Sequence, residues 1–227
     1  MVEALPDPWH YRQLPRPVPE PPKRPHYWTV EVGADVGLIE RPANGDGVHD
    51  SPGAVVGGHA RVRVLRWLDA RFATRVESAP YSYDARALGL PAGAHVGEDG
   101  PRRVHLSITA EPTWSPLPRL DLWAGVGLAW GRTTAPTLHV TGSEIAVVPT
   151  RGAVFVEVPL SLGIRYEVLP NWLVANLSVT VAFPSNQSGS MLEPYRTPGK
   201  NGTLIDVGGF PEPGTSVLGL AGLGILL

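Results

Sequence analysis

The sequence predicts an all-β protein that folds as an eight-stranded, antiparallel, up-and-down barrel and crosses a membrane. Three observations lead to this fold class. The 227 residues include 26 glycines and 25 prolines, which destabilise helix interiors by about 1 and about 3 kcal/mol each. Apolar residues recur at every second position, which is the period of a strand. Short turns and long loops alternate between the apolar segments, as they do in transmembrane β-barrels.

The first 26 residues differ from the rest of the chain. They contain eight prolines and show no hydrophobic period, so we predict an extended, proline-rich periplasmic arm at 1–26. The barrel is assigned to 27–227. A spacer role is expected for the arm, with partner binding as the alternative. No apolar signal segment follows Met1, so either the protein stays inside the cell or a signal is missing from the chain.

The strands follow from the alternation. In the first, Val32 and Val36 point one way, and Glu31 and Asp35 point the other. The same pattern gives eight strands, at 28–40, 59–66, 69–77, 103–114, 119–132, 153–168, 172–184 and 215–227. Short turns join the second to the third, the fourth to the fifth and the sixth to the seventh. The other connections are long and rich in Gly, Pro, Asp, Ser and Asn, at 41–58, 78–102, 133–152 and 184–214.

One apolar stretch has a hydropathy that could belong to a membrane helix. It runs from Tyr166 to Phe183, and Pro170 and Asn171 interrupt it where a helix would continue. We therefore assign it to two strands and a turn. The final segment, 215–227, is too short and too rich in glycine for a helical anchor, and it is assigned to the last strand.

Three observations favour an apolar face that points to lipid. The opposite face carries small residues and charges of both signs but no lysine, and such residues suit the filled interior of an eight-stranded barrel. Most strands reach the roughly 9–11 residues that cross a bilayer. Tryptophans at the short-turn rim match an interfacial girdle. The predicted interior charges are Glu31, Asp35, Arg61, Arg63, Arg71, Arg75, Asp121, Glu157, Arg165 and Glu167. The predicted girdle is Trp28, Trp67, Trp114 and Trp172, with Trp130, Phe155 and Phe183 near the other rim.

The pattern of strands, turns and loops, with the apolar C-terminal strand, resembles the eight-stranded outer-membrane barrels of the OmpA/OmpX type. The chain departs from them at Leu227, where such barrels commonly end in an aromatic residue, and at Pro112 and Pro159 inside strands. The resemblance implies short periplasmic turns, long extracellular loops, and a structural or surface-interaction role in the outer membrane of a Gram-negative bacterium. The implied partners are the lipid bilayer, a periplasmic partner of the arm and an extracellular ligand at the loops.

Two alternatives stay open. In a soluble, lipocalin-like barrel, the apolar faces would line a pocket for an apolar ligand. In a lipid-modifying hydrolase, His105 and Ser107 would act as base and nucleophile, and this pair resembles the arrangement in outer-membrane lipid A deacylases. However, Ile108 follows Ser107, the pair faces inward, and Glu111 lies about 13 Å along the strand at about 3.3 Å per residue. We therefore predict a polar interior pair and no enzyme.

Cofactor and nucleic-acid sites are not expected. The chain has no cysteine, which excludes disulfides, thiolate metal ligands and cysteine nucleophiles. The histidines lack the close paired spacing of a zinc site, and the glycine-rich segments lie within strands rather than before a helix. A formal net charge of −2 and arginines without aromatic interleaving give no nucleic-acid surface.

Overall fold

The computed structural model describes residues 29–41, 48–50, 52–78, 81–91, 93–96, 102–135, 137–145, 147–210 and 214–227. These residues are strands and connections, with one short 3₁₀ turn at Ala85–Leu88. No helix in these ranges is long and apolar enough to span a bilayer. The arm predicted at 1–26 and Trp28 lie outside the described residues, so both stay predictions.

Fifteen strands follow one another along the described chain. They are β1 (Val30–Glu40), β2 (Val48–Asp50), β3 (Gly53–Leu65), β4 (Leu68–Ser78), β5 (Tyr81–Tyr83), β6 (His95–Val96), β7 (Arg102–Leu117), β8 (Leu120–Ala135), β9 (Leu138–Thr141), β10 (Val147–Val148), β11 (Arg151–Leu169), β12 (Leu173–Ser188), β13 (Tyr195–Pro198), β14 (Leu204–Val207) and β15 (Ser216–Leu226). Eight of them close into one antiparallel barrel in the order β1-β15-β12-β11-β8-β7-β4-β3. The predicted fold class is therefore confirmed.

The first and last barrel strands close the sheet. They pair antiparallel from Glu31 opposite Leu226 to Glu40 opposite Val217, so β1 has a ladder on both edges and neither terminal strand is left with an open edge. The second barrel strand begins at Gly53, six residues before its predicted start. Its early part was assigned to a loop because of its glycines, but Gly57 lies within the ladder, where an added Cβ would lie 2.8 Å from Cγ of Arg75.

Side chains alternate between the outside and the inside of the barrel as the apolar period predicts. The apolar parity faces outward, with Val36, Leu162 and Leu177 exposed by 58, 67 and 60%. The opposite parity is buried and includes Glu31 and Asp35. Since every barrel strand follows this rule over most of its length, the closed sheet has a continuous apolar outer wall.

The two prolines inside strands each interrupt one ladder and keep the other. Pro112 pairs with Leu68 of β4, while the ladder to β8 skips it. Pro159 pairs with Ala182 of β12, and the ladder to β8 skips it as well. Proline has no amide hydrogen to donate, so each lies where β8 leaves an unpaired stretch.

Aromatic side chains lie at both ends of the outer wall, with one correction to the sequence analysis. Trp67, Trp114 and Trp172 are exposed at the short-turn rim, and Trp130 is exposed towards the other end. Phe155 was expected near that rim, but it is only 3% exposed and faces the interior. Its parity in β11 is that of the inward charges, so the alternation rule would have placed it correctly.

The long connections fold into a compact unit that we call the loop cap, formed by the described residues of 81–96, 137–150 and 189–210. Inside it β6 pairs with β9, β9 with β10, and β13 with β14. Main-chain bonds join different connections, as where Gly208 N donates to Leu88 O at 2.8 Å. An apolar core packs the cap on the barrel end, and it consists of Ala85, Leu88, Leu90, Ala94, Ala135, Leu138, Val140, Ile145, Val148, Ala153, Met191, Val207 and Phe210. The sequence pattern predicted only loops in these segments.

Candidate functional site

The barrel interior contains a first group of charges that we call the turn-side network, with Glu31 at its centre. His59 Nε2 lies 3.0 Å from Glu31 Oε1, and Asn176 Nδ2 donates to the same oxygen at 2.6 Å. Arg61 and Arg165 each place Nη1 3.4 Å from Oε2. Asn176 and Arg165 belong to β12 and β11, so these bonds cross the lumen to β1. Glu31 is 1% exposed.

His59 connects this centre to a second carboxylate. Its Nδ1 lies 3.1 Å from Asp35 Oδ2, and Arg71 donates to that oxygen at 2.5 Å. Arg61 extends the network to β7 by donating Nε to Glu111 Oε2 at 2.8 Å. His59 was expected at the edge of a loop, because the strand was predicted to begin at residue 59 rather than at Gly53. The structure places it at 4% exposure between two carboxylates.

Nearer the short turns the network opens towards solvent. Arg63 forms a two-pronged pair with Asp69, at 2.8 and 3.2 Å. Arg165 donates to Asp121 and also lies 3.4 Å from Asp69. The side chains of Arg63 and Asp121 retain 21 and 16% exposure. Three of the predicted interior charges, Arg63, Asp121 and half-buried Glu167, therefore lie at the rim rather than in the centre.

A second group, the loop-side network, lies closer to the cap. Arg103 Nη2 donates to Glu157 at 2.8 Å, and its Nη1 lies 3.7 Å from Glu77. Arg41 Nη2 lies 3.4 Å from Glu77 and 3.7 Å from Glu157. His105 Nε2 lies 3.1 Å from Glu77 Oε1, although not along a hydrogen-bond direction. All five side chains are buried.

Arg75 lies on β4 between Arg71 and Glu77, and therefore between the two networks. Within the described part of the chain, no carboxylate oxygen lies within 4.0 Å of its guanidinium, and its buried Nε has no hydrogen-bond partner. Its charge is balanced at longer range by the carboxylates of both networks. Arg75 thus has the position expected of an interior charge, without a direct ion pair.

Aromatic and apolar side chains fill the space that the charges leave. Trp123 is 5% exposed and has the Arg61 guanidinium 5.1 Å from its ring centre. The Arg103 guanidinium lies 3.5 Å from the centre of Phe155. On the side of the barrel formed by β3, β1, β15 and β12, a buried apolar cluster lies level with the loop-side network, where Val55 pairs with Glu77. It consists of Ile39, Val55, Ala182, Leu218 and Leu220. Eight-stranded barrels have just enough interior for side chains to fill, and this one follows that rule.

The hydrolase candidates do not form a catalytic arrangement. Ser107 is buried and faces the lumen, as expected from its parity, and no hydrogen bond joins it to His105 in the described chain. His105 contacts Glu77 instead, and Glu111 is bonded to Arg61. No group of three or more acidic or histidine side chains in the described residues has the geometry of a metal site. The geometry holds charges inside the barrel, away from lipid.

Several interior charges were missed by the sequence analysis although the pattern contained them. Asp69 and Glu77 have the same parity in β4 as Arg71 and Arg75. Arg103 and Glu111 share the inward parity of His105 in β7. The alternation that predicts inward side chains for Arg71 and Arg75 also predicts them for these four residues. Arg41 follows the end of β1, so strand parity could not have found it.

The loop cap has its own polar contacts. The Arg151 guanidinium lies 4.2 Å from the ring centre of Tyr195, and its Nη1 donates to the carbonyl of Glu193 at 2.7 Å. Burial raises the pKa of the Tyr195 hydroxyl, while the nearby positive charge of Arg151 opposes this shift. On the cap surface, Arg196 Nε donates to Asp206 at 2.6 Å.

Comparison with known proteins places the fold. No protein-family model and no curated protein matches the chain. Among solved structures, Neisserial surface protein A is similar over 86% of this chain and 96% of its own, with a TM-score of 0.53 and 13% identity. A major outer membrane protein from Thermus thermophilus is similar over 89% of this chain and 100% of its own, with a TM-score of 0.50 and 14% identity.

At such low identity these similarities establish the fold alone. The predicted resemblance to eight-stranded outer-membrane barrels is confirmed at that level. The chain has the fold of a small outer-membrane β-barrel, with its charges inside and its apolar side chains outside.

Proposed function

We propose that the protein is a small integral outer-membrane barrel of a Gram-negative bacterium, with a structural or surface-interaction role and neither a pore nor a catalytic function. The observation that carries this proposal is that charged and apolar side chains are distributed in the opposite way to a soluble protein. The charges are buried inside a closed barrel, and the large apolar side chains lie on its outer wall. Monomeric soluble proteins rarely expose a contiguous apolar patch above a few hundred Å².

The same distribution argues against the soluble, lipocalin-like alternative. A pocket for an apolar ligand needs apolar side chains on the inner face. Here the centre of the inner face holds Glu31, Asp35 and Arg71, and the buried apolar cluster occupies one side of the interior towards the loop end. A lipid bilayer satisfies the outer wall without exposing it to water, and the closed ladder leaves no strand edge to satisfy in lipid.

The filled interior argues against a role as a channel for the diffusion of solutes. Bonds from Arg165 and Asn176 to Glu31, and from Arg103 to Glu157, cross the lumen between strands that are not neighbours. A solute would have to break several of these contacts to pass through the barrel. Interaction with other molecules is therefore assigned to the loop cap, on the extracellular side, and to the periplasmic arm.

The membrane proposal predicts heat-modifiable electrophoresis together with the absence of channels. The protein, folded in detergent, should migrate differently in SDS with and without boiling, because a closed barrel resists unheated SDS. The same preparation in planar bilayers should show no steady conductance above that of protein-free membranes. A protein that is soluble without detergent and shows no mobility shift would contradict membrane insertion. Steady conductance in a heat-modifiable preparation would contradict only the filled lumen.

The cap should loosen independently of the barrel. Leu88 is fully buried in the cap core, and Leu88→Ala leaves a cavity there. We expect faster cleavage of the cap by a protease such as thermolysin, with the SDS mobility shift of the barrel unchanged. Leu204→Ala is the matched control, because Leu204 is 66% exposed in the same unit. Loss of the mobility shift in Leu88→Ala would mean that cap and barrel unfold together.

A further inference from the structure

Charges are rare on the outer wall, and those present are unevenly placed. Among the outward positions of the eight described barrel strands, the only charged residues are Glu40, Arg102 and Arg132. The two arginines lie on neighbouring strands, β7 and β8. Arg132 pairs with Val104, two residues along β7 from Arg102, so they are diagonal neighbours on one face of the sheet.

The arginines lie at the edge of the apolar wall that is nearer the loops. Trp114 marks the short-turn rim on the same strand as Val104, ten residues away. At about 3.3 Å per residue and a strand tilt of about 40°, this separation is roughly 25 Å along the bilayer normal. The apolar band of such barrels is about 25 Å tall. Arg132, level with Val104, therefore reaches the depth of lipid headgroups on the loop side.

An apolar groove lies on the wall beside Arg132. Its volume is 460 Å³, and its apolar lining is outward-facing Val104, Leu106, Trp130, Val154 and Val156. Arg132, Asn186 and Ser188 add polar groups to the lining. Arg132, Val154 and Ser188 share one register level, and Trp130, Val156 and Asn186 share the level below it.

A second hollow of 320 Å³ lies on the other side of the ridge formed by Leu106 and Trp130. It exists because small residues, including Gly58 and Ala60, face outward next to Phe72. Two apolar hollows thus flank one ridge on the same wall. Their combined shape suits a lipid with several acyl chains better than a single chain.

The two outward arginines differ from those inside the barrel. In the described chain, no carboxylate lies within ion-pair distance of Arg102 or Arg132, whereas the arginines inside the barrel, apart from Arg75, are ion-paired. Guanidinium groups bind phosphate with strong, often bidentate, charge-assisted hydrogen bonds. Arg102 and Arg132 have no carboxylate partner among the described residues, and they lie at headgroup depth beside grooves at acyl depth. Their charge is complementary to that of a phosphorylated lipid.

We propose that this wall binds the phosphorylated glycolipid of the outer leaflet, lipid A, with a phosphate at Arg102 and Arg132 and acyl chains in the two hollows. The inference rests on the proposed function, because it places the loop side in the outer leaflet, which this glycolipid forms. Lipid A has both of the required features, phosphate groups and several acyl chains. The bound lipid would lie on the wall formed by β3, β4, β7, β8 and β11.

The test uses the full chain, folded in an uncharged detergent and titrated with hexa-acylated, bis-phosphorylated lipid A, with bound lipid measured by native mass spectrometry. We expect saturable binding of one lipid. The affinity should fall about tenfold or more in Arg102→Gln/Arg132→Gln, which removes charge-assisted bonds, and also for dephosphorylated lipid A on the unaltered protein. The matched control is Arg66→Gln/Arg119→Gln, which removes the same charge from the short turns and should bind as the unaltered protein does.

The acyl part has a separate test. Val154→Trp fills the first groove and should weaken binding, whereas Val217→Trp, outward on β15, should not. Equal affinity in the Arg102/Arg132 variant, or equal affinity for dephosphorylated lipid A, would overturn the proposal. Phosphatidylglycerol binding as tightly as lipid A would overturn its assignment to the glycolipid. Each variant must keep the SDS mobility shift, and if one does not fold, the dephosphorylated lipid decides. Loss of the shift in the unaltered protein would instead contradict the proposed function.

Discussion

Replacing Glu31 with leucine should destabilise the barrel by about 3–5 kcal/mol, the usual cost of breaking a buried ion pair. The carboxylate is 1% exposed and binds four side chains from β3, β11 and β12. Leucine has similar volume but no acceptor, so Arg61 and Arg165 would each lose a buried partner. Arg61 keeps Glu111, and Arg165 keeps Asp121. The cost therefore comes from the excess of buried positive charge and from the lost contacts of His59 and Asn176, rather than from a cavity.

The measurement is equilibrium unfolding in urea, in lipid vesicles, followed by the fraction of heat-modifiable protein. The control is Asp206→Leu, which removes a carboxylate from a pair whose side chains are 70 and 76% exposed. Exposed pairs contribute about 0–1 kcal/mol, so this variant should unfold almost as the unaltered protein does. A Glu31→Leu barrel as stable as the Asp206→Leu protein would show that the turn-side network does not stabilise the fold.

The loss of stability should be smaller for a carboxylate at the rim of the lumen than for one at its centre. Asp121→Leu removes a partner of Arg165 at the rim, where the Asp121 side chain keeps 16% exposure. Water can partly replace the lost carboxylate there, and Arg165 keeps its contacts to Glu31 and Asp69. We therefore expect a smaller loss of stability than for Glu31→Leu in the same vesicles. An equal loss would mean that the rim is as dry as the centre.

The barrel could be predicted from the sequence because its signal is local and repeated. A strand buried on one face needs only an alternating pattern, and residues such as Val32 and Glu31 report which face is which. Strand ends were less certain because glycine serves both loops and strands. Gly57 and Gly58 were assigned to a loop, which cost six residues of β3 and hid His59. On correctly placed strands the same parity identified Arg71 and Arg75, and it also contained Asp69 and Glu111, which were not assigned.

The cap could not be predicted in this way, because its signal is not local. Leu88, Val140, Met191 and Phe210 come from three different connections, and none of them lies in an alternating segment long enough to be assigned. Their association depends on the barrel, which brings the connections to one rim. The hollows on the outer wall were not predicted for a similar reason. Small residues such as Gly58 and large ones such as Trp130 define a hollow only after the register between strands is known.

Introducing an arginine at Leu177 or Val126 should cost about 2–4 kcal/mol, the cost of a cation near the bilayer midplane on the lipid face of a barrel. Both side chains point outward, at 60 and 51% exposure. Leu177 lies five residues from Trp172 at the short-turn rim, and Val126 pairs with Ala110, four residues from Trp114, so both lie well inside the apolar band. In water an exposed arginine would be tolerated there. In lipid, no group of the protein or the solvent can solvate its charge.

The control is an arginine placed at an outward position near the membrane interface instead of the midplane. Leu117 also faces outward, at 60% exposure, but it lies at the short-turn end of β7, where the same cation costs about 0–1 kcal/mol. Leu117→Arg should therefore unfold in vesicles at nearly the urea concentration of the unaltered protein, while Leu177→Arg and Val126→Arg unfold well below it. Equal stability of all three variants would contradict the proposal that lipid contacts the outer wall. Because exposure is similar and depth differs, only a membrane accounts for a difference between them.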